Sequence, residues 1–136
     1  MKRICGILGI FLLTASLFSG CGSDGSSVLK KHVKASENFI NGMSDAKSAD
    51  DMVKTIDKYT EDLRVLMPEL MELEKKYPGY RDGKIPEELE ADVREMEKIS
   101  LKMSGSMGSN MMKYMMDTKV QDAMTRLGEE LEKLEQ

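Results

Sequence analysis

The chain has no tryptophan, one histidine, two cysteines and three prolines in 136 residues. Each shortage closes a route. One histidine rules out the paired Glu-x-x-His ligands of di-iron helical bundles. Two cysteines, Cys5 and Cys21, and that single histidine fall short of the four Cys and His ligands of a structural zinc site. No segment alternates apolar and polar residues with period two, so strands are not expected. "SGSMGSN" has the glycines of a phosphate loop but lacks its Gly-Lys-Ser/Thr ending. There is also no excess of basic charge: 20 Lys and Arg stand against 24 Asp and Glu. That balance argues against nucleic acid and against a polybasic membrane patch.

What is present begins with "MKRICGILGIFLLTASLFSGCGSDGSS". Lys2 and Arg3 precede an uncharged apolar run over residues 4–18, too short to cross a bilayer and suited to a signal-peptide core. Ser19, Gly20 and Cys21 follow. This order resembles a bacterial lipoprotein leader ending in a lipobox, here "FSGC". Phe18 stands where that family prefers Leu. The resemblance implies cleavage between Gly20 and Cys21, with lipid such as palmitate on Cys21. It implies a location on the bacterial cell membrane or the outer membrane, facing the periplasm or the exterior. Gly22, where Asp would be a retention signal, leans toward the outer membrane.

With residues 1–20 removed, no free thiol and no disulfide remain, so stability has to come from the core. Removing Lys2 and Arg3 leaves 18 basic against 24 acidic residues, a net of −6. Residues 21–27 read as the lipidated Cys21 and a flexible Gly/Ser tether. Residues 28–136 read as one small domain. Its aromatics are Phe39, Tyr59, Tyr77, Tyr80 and Tyr114 only, so its core must be aliphatic and Met.

Apolar spacing then predicts helices. Leu29, Val33, Ser36, Ile40 and Met43 follow steps of four and three, with Phe39 beside them. Met52, Ile56, Tyr59, Leu63, Leu66, Leu70, Leu73 and Tyr77 continue that step after a capping signal, "SADD", at Ser48. Pro68 inside this stretch predicts a kink over 64–68. "YPGYRDGKIP" ends it, and Pro86 opens a third helix carrying Leu89, Val93, Met96, Ile99, Met103 and Met107. "TKVQ" over residues 118–121 spells another cap, leading into Val120, Met124, Leu127, Leu131 and Leu134. The expected fold is all-α: a small up-and-down bundle of four helices, with loops over 44–47, 78–85 and at 117.

The most unusual stretch is "KMSGSMGSNMMKYMMD". On a helix, Met103, Met107, Met111 and Met115 would form one inclined ridge, flanked by Ser104, Gly105, Gly108 and Ser109. Met112 and Met116 repeat the same step. Three readings stand. The ridge packs a core, because unbranched Met fills gaps opposite Gly and Ser. It is an adaptable binding surface. Or its thioethers hold Cu(I), a soft ion. Interior glycines each cost about 1 kcal/mol against Ala, which calls for a close helix approach or a local break.

Other candidates are weaker. His32, in "LKKHVKAS", reads as a solvated residue. The carboxylates of "PEELEADVREMEK" and "GEELEKLEQ" read as solvated faces, with Glu129 to Lys133 as an i,i+4 pair. Tyr77, Tyr80 and Arg81 flank the central turn as loop packing or a contact site. The sequence thus leads to a lipid-anchored, non-enzymatic helical module of the envelope, attached to the membrane through Cys21 and working with a protein partner. It implies no cofactor. The alternative is an envelope binding protein for Cu(I) or an apolar ligand, using the ridge over residues 103–116.

Overall fold

A computed structural model describes residues 24–106 and 109–135. Residues 1–20, expected to be a leader, Cys21 and Met107 lie outside the described residues, as does the side chain of Leu134. The described residues form five α-helices and no strand: α1 (Gly25–Asp45), α2 (Ala49–Lys76), α3 (Glu90–Ser106), α4 (Ser109–Tyr114) and α5 (Thr118–Glu135). A short 3-10 turn, Glu87–Leu89, leads into α3, with Pro86 at its N-cap. The all-α small bundle expected from the apolar steps is what the chain forms.

Local signals explain the helix ends. Ser48 Oγ accepts from the backbone N–H of Asp51 at 3.1 Å and starts α2. The Asp51 carboxylate reaches back past the cap to the N–H of Lys47 at 3.2 Å, a variant of the capping box in which the return bond falls one residue early. At α5 the cap lies one residue earlier than "TKVQ" suggested. Asp117, not Thr118, accepts from the N–H of Lys119 at 2.9 Å. Aspartate is the stronger cap, and Gln121 turns to the Met115 carbonyl instead. α2 continues through Pro68, which is exposed.

The flexible tether expected over residues 21–27 does not extend over its last three residues. Residues 25–27 belong to α1, and Gly25 is buried. Their low helix propensity is overridden by packing: Gly25 sits against Leu73 and Leu89, where no side chain would fit unmoved.

The helices alternate in direction along the chain. α1 and α3 run one way; α2 and α5 run the other. Leu29, Leu73 and Leu89 form a small apolar cluster at one end. The larger core unites Phe39, Met43, Met52, Ile56, Leu63, Met111, Val120 and Leu127, among others. Ion pairs fix α5 alongside α2, from Asp50–Lys119 through Asp57–Arg126 to Arg64–Glu130. Helices adjacent in sequence are not always the packing partners. α3 packs on α1 and α5 on α2, giving the spatial order α3, α1, α2, α5. The ten residues 77–86 carry the chain over one end, and α4 lies under α1 and α2 at the other.

Candidate functional site

The described methionines of this stretch divide between the core and the surface. Met103 belongs to α3 and is half-buried against the main core. Met111 belongs to α4 and is 8% exposed. Met115 follows α4 and is 51% exposed, while Met112 and Met116 are 71% and 86% exposed. Met103 and Met111 therefore share the main core while Met115 is exposed, so the described methionines are not gathered at one surface. α4 is held by its own contacts. The Asn110 amide nitrogen donates to the carbonyl oxygens of Met43, Ser44 and Ala46, at 2.9, 3.1 and 3.0 Å. These carbonyls end α1 and would otherwise lack donors. Asn110 thereby points Met111 inward and leaves Met112 outward.

Close helix approach does not explain Gly105 either. A Cβ there would have no neighbour within 4 Å.

A second place holds residues that the sequence left apart. His32, Ser36, Tyr59, Met96, Ser100 and Met103 line a cavity of about 210 Å³ between α1 and α3, with a contribution from α2. His32 is half-buried rather than solvated, because α3 packs over that side of α1. Burial pushes its pKa below the usual 6.5, so the imidazole is neutral at physiological pH. Ser36 and Tyr59 share a hydrogen bond at 3.3 Å, and the Tyr59 ring stacks on Phe39 at 4.5 Å. Burial raises the Tyr59 pKa, partly offset by that hydrogen bond, so the phenol stays protonated. The cavity joins one neutral imidazole, two thioethers and three hydroxyl groups. Spacing along α3 foretold Met96 and Met103 on one face, but nothing local in the sequence tied His32 to them.

The central turn is the third place. Tyr77 and Tyr80 are half-buried and pack on the Leu29 cluster. Tyr77 O–H donates to Glu88 at 3.0 Å, and Lys76 stands over the Tyr77 ring at 5.2 Å. Arg81 bonds Glu74 at 2.7 Å. Tyr77 and Arg81 therefore brace the turn as well as face solvent.

The C-terminal carboxylates also differ from expectation. Lys133 pairs with Glu130 at 2.8 Å, not with Glu129. Glu130 is only 4% exposed and also meets Arg64. The hydrogen bond from Lys133 chiefly holds its carboxyl below the usual range. Among the described residues, no group of three or more His, Cys, Asp or Glu is placed to hold a metal ion. No described helix is long and apolar enough to cross a membrane.

No protein-family model, no curated protein and no solved structure matches this chain.

Proposed function

We propose that the chain is a lipid-anchored protein of the bacterial envelope that acts by contact with another protein and catalyses no reaction. The leader ending at Cys21 supports the location. The observation that carries the contact is the exposure of Met112, Met115 and Met116 together, beside a core that already uses Met111. Exposed Met is unusual on a surface, and its flexible, polarizable chain adapts to apolar partners. The partner in this reading is a protein with an apolar face.

Crosslinking in intact membranes tests it. Wild type should give a discrete adduct, and a Met112→Ser, Met115→Ser, Met116→Ser variant should lose it while keeping its helicity. Cys21→Ser should abolish lipid labelling and release the chain from washed membranes. An unchanged adduct in the triple variant would move the contact elsewhere.

A second reading is uptake of Cu(I). It is favoured by His32, Met96 and Met103 lining one cavity, since neutral imidazole and thioether are both ligands for that ion.

A further inference from the structure

His32 and Ser36 stand four residues apart on α1, and Met96, Ile99, Ser100 and Met103 follow steps of three and four on α3. Those spacings put each set on one helix face, and the two faces wall the α1–α3 cavity. Tyr59 comes to it from α2 and is buried. The gap has a reason in the sequence. Each wall contributes a serine, Ser36 and Ser100, to a seam otherwise rich in Met, Ile and Val. A serine fills less space than any of these.

The lining is also unlike the chain as a whole. Charged residues make up 32% of the sequence, yet none of the eight that line this cavity is Asp, Glu, Lys or Arg. The cavity between α1 and α2, by contrast, carries Lys54, Lys58 and Asp62. An ion entering the α1–α3 cavity would meet no formal countercharge to offset its lost hydration. A neutral guest meets no such penalty.

The polar groups of the cavity are not fully used within the protein. Ser36 and Tyr59 have two hydroxyl hydrogens and share one hydrogen bond, so one O–H remains to donate. Among the described residues, none hydrogen-bonds the His32 imidazole or the Ser100 hydroxyl. A neutral imidazole offers one donor and one acceptor nitrogen. Met96 and Met103 supply thioether sulfur, which makes favourable contacts with aromatic rings. Size narrows the guest further. A dry cavity of about 150 Å³ takes up benzene. At about 210 Å³, this cavity has room for a ring with a polar substituent. It falls short of the roughly 300–1,000 Å³ of pockets for larger ligands.

We propose that the α1–α3 cavity binds a small neutral aromatic compound bearing a hydroxyl or a ring N–H, with Met96 and Met103 against the ring and His32 accepting that hydrogen. The site is separate from the exposed Met112, Met115 and Met116, and it depends neither on a lipid at Cys21 nor on a protein partner.

The methionines supply the experiment. The full chain, in lipid nanodiscs and with isotope-labelled methionine methyl groups, is titrated with phenol and separately with benzoate, and methyl NMR spectra are recorded. With phenol, the Met96 and Met103 signals should shift saturably and show cross-peaks to the ring protons, while Met112 and Met116 stay in place. Val33→Phe, which fills the cavity from its wall, should weaken phenol binding by about tenfold or more. His32→Leu should weaken it severalfold, and benzoate should bind severalfold more weakly than phenol. No saturable shift at Met96 and Met103 overturns the site and leaves a hydrated packing gap. Equal shifts at Met112 and Met116 mean adsorption and overturn it as well. Benzoate binding as tight as phenol binding overturns the neutral class, and unchanged affinity in His32→Leu overturns the hydrogen bond. If Val33→Phe does not fold, the wild-type cross-peaks decide: their presence places the ring in the cavity, and their absence overturns the site.

Discussion

Gly42 faces Thr55 so closely that a Cβ at position 42 would stand 2.7 Å from Thr55 Cγ2 and 2.8 Å from Oγ1. Thr55 cannot rotate away at no cost, because it is β-branched and its hydroxyl donates to the Asp51 carbonyl at 3.0 Å. This is where α1 and α2 approach. Gly42→Ala should therefore lose stability by about 1–3 kcal/mol, despite the better helix propensity of Ala. Gly105→Ala, with open space around it, should gain about 0.5–1 kcal/mol. Urea unfolding of a fragment lacking residues 1–23 measures both. A Gly42→Ala variant as stable as wild type would mean that the two helices can part cheaply.

This pair also shows which parts of the fold were legible. Steps of four and three named the interior of α2 almost residue by residue, because a long helix pressed on both sides keeps one face in register. Met52, Ile56, Tyr59, Leu63, Leu66 and Leu73 are all buried. The glycines misled for the opposite reason. A glycine needed for close approach looks the same in sequence as one in open space, and only the partner helix distinguishes Gly42 from Gly105. The cavity at His32 was equally hidden, since it depends on α3 crossing back to α1. Ala123 and Glu130 escaped the α5 reading because their burial is set by α2.

Asn110 is the side chain that fixes α4 to the end of α1. Asn110→Ala should leave three backbone carbonyls to water and cost about 1–3 kcal/mol. Met112 should stay exposed, while Met111 should lose burial. Faster hydrogen exchange confined to α4 and the end of α1 is the expected signature. Unchanged exchange there would show that the Met111 contacts alone hold the helix.

Leu63 is fully buried in the main core, whereas Leu101 is 75% exposed. Leu63→Ala should cost about 2–5 kcal/mol. Leu101→Ala should fall within about 0.5 kcal/mol of wild type. Equal losses at the two positions, read from denaturant midpoints, would contradict the way α3 and α2 are buried.

Stability should depend on pH through His32. Its folded pKa is lowered by burial, so between that value and the unfolded 6.5 the unfolded chain binds more protons. The stabilising effect of the neutral form is complete above pH 6.5 and is lost as pH falls through the folded pKa. His32→Gln should flatten the curve in that window. Glu130 acts lower down: its pKa is depressed below 4.5, so its contribution is present above that pH and lost as pH falls through the folded value. A His32→Gln profile identical to wild type down to the carboxylate range would place the imidazole in water.

Substitutions at Met96 and Met103 separate contact from metal uptake. Met96 and Met103 lie seven residues apart on α3, about 10 Å along its axis, so a shared ion would require both side chains to bend toward the level of Ser100. Helical side chains lean toward the N-terminus, which suits Met103 and hinders Met96. The cavity therefore favours packing over coordination in the resting protein. Met96→Leu with Met103→Leu keeps the apolar volume, and each swap usually costs less than about 1.5 kcal/mol. The double variant should keep its helicity and its crosslinked adduct. Neither it nor wild type should hold Cu(I) against a competing chelator in an anaerobic titration. If wild type instead takes up one equivalent, and both the double variant and His32→Gln lose it, then the α1–α3 cavity is a metal site. The exposed methionines would then no longer be the leading candidate for what this protein does.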